Sequence, residues 1–350
     1  MEFTFLQMII LYCLHKINGE RTIYSIYHLL HGKKSSQTIQ DAYLFHLTPF
    51  FHTYPTISRQ EIESIITKFA TNEWIHADSN QHYLVTDLGE KILFHAVKNN
   101  PIPANLNGMK YQSQAILFWE RLSLMIQASS YLQHRESRYM PVQRRPETIS
   151  WIRDLLKQNK STRENLCANL YSELVSCLDY ESSIDPNVFV IRLSGYRSIG
   201  LTFEQASQKL NIETTQYYYQ FLNVLHFMID VLENNANQYP LLNSLLEPSQ
   251  KENLTQSTEK TFRLLNQGYS IADIVTTRQL KKGTIEDHIV ELALKINDFS
   301  IEPFVTVEKQ NQITKAVKES KTKQLRLIQN KVQDATYFEI RLVLAKDGDR

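Results

Sequence analysis

At 350 residues and 41.0 kDa, the chain is long enough for two or three domains with cores of their own. It carries 9 glycines and 10 prolines, where average usage gives roughly 25 and roughly 17. That scarcity disfavours folds built on glycine phosphate loops and leaves helices joined by short polar connections, while 38 basic against 37 acidic side chains give no global mark of a nucleic-acid binder.

In chain order, the apolar run Phe3–Leu14 has neither the basic lead nor the small-residue cleavage site of a signal peptide. It is also too short to span a bilayer. It predicts a buried first helix over 3–17, followed by a second over Thr22–His31 and a third over 38–47. Ser58 heads Ser-Arg-Gln-Glu61, a capping-box pattern that opens a helix to about Thr71. Trp74-Ile75 and His82–Val85 flank a turn-like stretch and predict a hairpin, after which Thr86-Asp-Leu-Gly89 starts another helix. This order is winged-helix-like and defines a first domain over 1–100. Its candidate recognition helix carries Arg59 and Lys68 against Glu61 and Glu63, and residues 1–95 hold seven basic against nine acidic side chains. Such acidity predicts contact with protein rather than DNA.

Residues 101–108 read as a linker. A strongly apolar helix over 111–133 leads into 133–163, where eight Lys/Arg stand against three acids around the loop Met140-Pro-Val-Gln-Arg-Arg-Pro146. Helices near 147–158, 162–180 and 186–193 follow. Thr202, Ala206 and the turn Leu210-Asn-Ile212 then give a helix-turn-helix outline whose second helix runs to about Glu233. These elements make a helical middle domain over 109–234, and the Asn-, Gln-, Ser- and Pro-rich stretch 234–258 marks a boundary.

The C-terminal domain, 255–346, repeats the outline more clearly. A helix over 258–267 ends at Gly268, Ser270 caps Ile271–Val275, Gln279-Leu280 turns the chain, and Lys281–Leu294 forms the second helix. Helices over 304–320 and 323–345 complete a mainly α architecture.

No enzyme signature organises the chain. His31-Gly-Lys-Lys-Ser-Ser36 imitates the end of a phosphate loop, but Tyr27 stands where the first glycine is needed. The eleven histidines show no metal-ligand spacing, and no nucleophile motif appears. Neither a cofactor nor a metal is expected. Cys13, Cys167 and Cys177 are odd in number, with no metal spacing, and imply a reduced, cytoplasmic setting; a nucleoid-associated one is compatible with it, and no membrane role is expected.

The candidate site is the C-terminal helix-turn-helix. Ile274, Leu280, Ile285 and Ile289 are expected to face inward, and Lys281, Lys282, Thr284, Asp287 and His288 outward, where a recognition helix meets a groove. The candidate DNA-binding residues are Ser270, Arg278, Lys281, Lys282, Thr284 and His288. Lys315, Lys318, Lys321, Lys323 and Arg326 join them from the stretch 305–332, whose seven basic and two acidic residues leave a local charge of +5. Glu286, Asp287 and Glu291 on the same helix oppose this assignment, and a protein-binding helical module remains the alternative.

Residues about 255–346 resemble the helix-turn-helix domain at the C-terminus of many bacterial RecQ-type DNA helicases. The matching residues are Gly268-Tyr-Ser-Ile271, Ile274, Thr284-Ile285 with His288, Ile301, Phe304-Val305, Leu325 with Ile328, and Tyr337–Ala345. No helicase motor is present. With Arg192-Leu-Ser-Gly195 and Gly200-Leu-Thr202, the whole chain resembles the YpbB-like family of helix-turn-helix proteins. The resemblance implies a non-enzymatic accessory that supplies a DNA-binding module in trans to a RecQ-type helicase in DNA repair or recombination, its partners being that helicase and DNA recognised by structure rather than sequence. A helix-turn-helix transcriptional regulator is the alternative. Oligomeric state is not legible.

Overall fold

In a computed structural model that describes residues 3–79, 81–158, 163–180, 184–247, 254–320 and 322–347, the helical spacing of apolar residues becomes a run of α-helices interrupted by one hairpin. The elements begin with α1 (Phe5–Ile17), α2 (Ile23–His31), α3 (Ser36–Leu44), α4 (Arg59–Thr71), β1 (Ile75–Ser79), β2 (His82–Val85) and α5 (Asp87–Asn99). The middle of the chain forms α6 (Gly108–Gln133), α7 (Pro146–Gln158), α8 (Arg163–Leu178), α9 (Pro186–Val190), α10 (Phe203–Leu210), α11 (Thr214–Asn234) and α12 (Pro240–Asn243). The C-terminal part forms α13 (Gln256–Asn266), α14 (Ile271–Arg278), α15 (Lys282–Lys295), α16 (Val307–Ser320), α17 (Leu325–Lys331) and α18 (Tyr337–Asp347). The fold is thus mainly α, with a winged-helix-like N-terminal part and a C-terminal helix-turn-helix. In the antiparallel hairpin Ile75 pairs with Val85 and Ala77 with Tyr83, with a bulge between Ala77 and Ser79.

Two compact units result, one from Met1–Ile9 with Ala96–Ser249, the other from Ile10–His95 with Gln250–Arg350. In the first, α6 packs along α11, and α8, α9 and α10 close over them. Phe118, Leu122, Met125, Phe221, Leu225 and Met228 fill the core, and Trp119 meets Phe221 edge-on at 4.9 Å. Gly200 has a steric purpose here. A β-carbon at this position would lie 2.1 Å from the Arg192 carbonyl oxygen, so only glycine lets the two strands of the 191–201 turn approach.

The second unit joins segments far apart in sequence: α3 packs against α15 and α18. In this unit the helix expected over 304–320 begins at Val307, and two others differ from expectation. The third, expected over 38–47, begins at Ser36 because the Ser35 hydroxyl accepts from the Thr38 N–H, and it ends at Leu44, before His46 turns left-handed at φ 55°. The last, expected as one helix over 323–345, is two. Val332 closes α17, and Thr336 caps α18 through its hydroxyl, which accepts from the Glu339 N–H at 3.2 Å, while the Glu339 carboxylate accepts from the Thr336 N–H at 2.7 Å.

Candidate nucleic-acid interface

Local capping builds the helix-turn-helix. Ser270 and Asp273 form a reciprocal capping box at the start of α14. The same hydrogen bonds hold the Asp273 carboxyl below the usual carboxylate range. Gln279 reverses the chain at φ 51°, a left-handed conformation that the three-residue turn Gln279–Lys281 between the helices needs. The inner face is as expected from spacing: Ile274, Ile285 and Ile289 are fully buried and Leu280 is half-buried.

Lys281, Lys282 and Gly283 are exposed at the start of α15, with Thr284 half-buried beside them. Lys281 supplies no side-chain cap, so the first N–H groups of α15 are not covered by its own N-cap side chain. A β-carbon on Gly283 would meet nothing within 4 Å. Sequence reasoning passed over Gly283, although a glycine inside a helix of a glycine-poor chain was the available signal.

Several candidates occupy different surroundings from those expected. His288, expected outward, is buried at 8% exposure, its Nδ1 lying 2.8 Å from the Thr261 hydroxyl on α13. It sits one turn beyond Ile285 and next to Ile289, so α13 covers it. Burial, then the Arg278 charge, lowers its pKa. Arg278 turns back onto α13, donating from Nη1 to the Ser257 carbonyl at 2.6 Å and from Nη2 to the Ser257 hydroxyl at 2.9 Å. Asp287, also expected outward, is half-buried and pairs with Arg341 of α18 at 2.6 Å.

The basic stretch divides as well. Lys323 donates its backbone N–H to the Glu20 carboxylate at 2.8 Å and its Nζ to the Leu44 carbonyl, which turns it into the body of the second unit. Lys315, Lys318 and Arg326 are exposed, Lys315 lying 4.0 Å from Glu319. Lys321 lies outside the described residues.

The three acids that argued against α15 each face a cation. Asp287 has Arg341, Glu286 has Lys282 at 3.6 Å, and Glu291 has Lys295 at 2.7 Å. Glu291 is buried, which by itself raises a carboxyl pKa. The Lys295 charge and hydrogen bonds from Lys295, Thr258 and the Thr255 N–H outweigh burial and hold it below its usual value. Beyond its first turn, α15 is packed by α13, α14, α18 and α3. Its exposed surface is the first turn and the turn before it.

Among the described residues no group of three or more His, Cys, Asp or Glu is placed to hold a metal ion. No described helix is long and apolar enough to cross a membrane.

A family model described as a helix-turn-helix domain matches residues 257–344. Protein YpbB of Bacillus subtilis (strain 168) is 34% identical over 349 residues, which cover 99% of this chain and 98% of that protein. No solved structure matches.

Proposed function

Because the chain belongs to the YpbB family and carries a helix-turn-helix domain, we propose that it binds DNA through the first turn of α15, as a non-enzymatic accessory of a RecQ-type DNA helicase in repair or recombination. The observation that carries the DNA reading is the exposed Lys281-Lys282-Gly283 turn, where two ammonium groups flank a helix N-terminus that has no side-chain cap. Phosphate oxygens are bound by this combination of N–H groups, helix dipole and positive charge. The glycine permits close backbone approach, and pairing of Asp287 and Glu291 from behind the helix reduces repulsion of a polyanion. With only one turn available, contact falls on phosphates more than base edges, which favours recognition by DNA structure over sequence. The helicase partner rests on the resemblance of the last ninety residues to the helicase-appended domain.

The test uses the full chain on labelled duplex and forked DNA over a range of salt, with and without the helicase captured from cell extract. Lys281→Ala with Lys282→Ala should flatten the slope of log affinity against log salt on duplex by about 1.8, at about 0.9 per neutralised phosphate. An unchanged slope would make the domain a helical protein adaptor. Protection of one defined sequence, without helicase capture, would favour a transcriptional regulator.

A further inference from the structure

We propose a second nucleic-acid site in the first compact unit: a track for single-stranded DNA along the C-terminal half of α6, with the stacked rings of His134 and Tyr196 at one end.

The basic stretch that follows α6 does not wander into solvent. It runs back along the helix, the Met140 carbonyl accepting from Gln127 Nε2 at 3.1 Å and the Val142 N–H donating to Gln127 Oε1 at 2.8 Å. Farther along, Gln143 reaches the Ser123 hydroxyl at 2.9 Å and Arg145 pairs with Glu120 at 3.0 Å. The segment therefore follows α6 from Tyr131 to Glu120, about 16 Å at 1.5 Å per residue. Arg138 and Arg144 are exposed along it. Of the carboxylates beside the track, Glu120 is buried under Arg145 and Thr148, Glu136 accepts the Arg138 backbone N–H at 2.8 Å, and Glu147 is exposed at the start of α7.

At the end of the track two short segments meet in the same way. His134 stacks on Tyr196 with centroids 4.3 Å apart and planes 24° apart. Each ring is followed by an exposed arginine with left-handed backbone, Arg135 at φ 56° and Arg197 at φ 57°. Glycine or asparagine fits that conformation at less cost than arginine, and both positions hold an arginine. The Arg197 guanidinium lies 5.1 Å from the Tyr196 ring, and Ile199 beyond it is 91% exposed. An aromatic platform flanked by guanidinium groups, continuing into a basic strip, is the combination that binds single strands: bases stack on the rings while cations follow the phosphates.

The choice of DNA over RNA rests on the helix-turn-helix reading above, but the site itself involves different residues in a different unit. The test therefore carries both sets of variants in the full chain. Binding of a fluorescent oligothymidylate and of a duplex is followed by anisotropy against salt, with circular dichroism to check folding. Arg135→Gln with Arg197→Gln should reduce the single-strand salt slope by about 1.4, at about 0.7 per phosphate, and leave duplex binding unchanged. His134→Ala, at an exposed position, should weaken single-strand binding about fivefold or more. Lys281→Ala with Lys282→Ala should do the reverse, lowering duplex binding and sparing the oligothymidylate. If the lysine variant is silent while the arginine variant responds, this site stands and the helix-turn-helix reading fails. The proposal is overturned if folded arginine and histidine variants bind the oligothymidylate like the parent, or if the parent does not bind it.

Discussion

Nothing in the fold requires a glycine at position 283. It is helical, its site is open for a β-carbon, and glycine in a helix costs up to about 1 kcal/mol relative to alanine. Gly283→Ala should therefore raise stability in denaturant titration and, on the proposed DNA reading, lower duplex affinity, because the methyl group would stand where the phosphate is proposed to approach. Opposite signs in the two measurements separate a functional glycine from an accidental one, and an unchanged affinity would remove the close-approach argument. His226 shows the reverse case, a residue whose chemistry is internal. It is fully buried on α11, its Nδ1 accepts from the Asn107 N–H at 3.0 Å, and its Nε2 has no hydrogen-bond partner among the described residues. Burial pushes the imidazole down to about 4, against about 6.5 in the unfolded chain. Between those values the unfolded state binds the extra proton, so stability is lost as pH falls from about 6.5 to about 4, in total about 3 kcal/mol. Unfolding measured across that range should show the slope, and His226→Phe, which keeps a ring in the core, should lose that share of it.

At the scale of elements, α13 and α15 are held together by a buried polar knot. Glu291 accepts from Thr258 Oγ1 at 2.5 Å and from the Thr255 N–H at 2.9 Å, and it pairs with Lys295. Glu291→Ala removes the buried carboxylate on which Thr258, the Thr255 N–H and Lys295 converge and should cost about 3 kcal/mol. Since the folded-state pKa of Glu291 is depressed, its stabilisation is present above the unfolded value of about 4.3 and is lost as pH falls through the folded one. Acid unfolding of the variant should therefore show a shallower pH dependence than that of the parent. The inner face of this helix pair was legible because Ile274, Ile285 and Ile289 follow helical spacing. The knot was not: His288 reads as outward and Glu291 only as an acid opposing DNA until α13 is placed over them, and that placement is a tertiary fact which periodicity within one helix does not contain. The break between α17 and α18 was legible in principle, since Thr336-Tyr-Phe-Glu339 is the same cap pattern as Ser58-Arg-Gln-Glu61. Apolar residues on both sides disguised it as one helix. The exposed lysines of the α15 first turn were read correctly as exposed, whereas Lys323 was not, because its partners Glu20 and Leu44 lie about three hundred residues away in sequence.

At the scale of the molecule, the second unit brings its N-terminal and C-terminal segments together, and Arg341 is where they meet. Its Nε donates to Gln40 Oε1 at 2.8 Å and its Nη2 to the Ser36 hydroxyl at 2.9 Å, both on α3, while Nη1 pairs with Asp287 of α15 at 2.6 Å. One guanidinium thus ties α18 to the winged-helix-like segment and to the candidate recognition helix. A hydrogen bond to a charged group contributes about 1.5–3 kcal/mol, contacts made by one group are not additive, and Arg341 is mostly shielded, so Arg341→Ala should cost at least about 3 kcal/mol. The position of the loss is more informative than its size. Hydrogen exchange read by mass spectrometry should show peptides of α3 and of α15 losing protection together, although they are some 250 residues apart, while peptides of α6 and α11 in the other unit keep theirs. Arg341→Lys should not rescue, because an ammonium cannot present three donors in a planar fork. If α15 loosens and α3 does not, the two segments are held by apolar packing alone. On the proposed DNA reading the variant has a second effect: Asp287 is left without Arg341 five residues from Lys282, so duplex affinity should fall although Arg341 is not among the proposed contacts, and raising the salt concentration should narrow the difference from the parent.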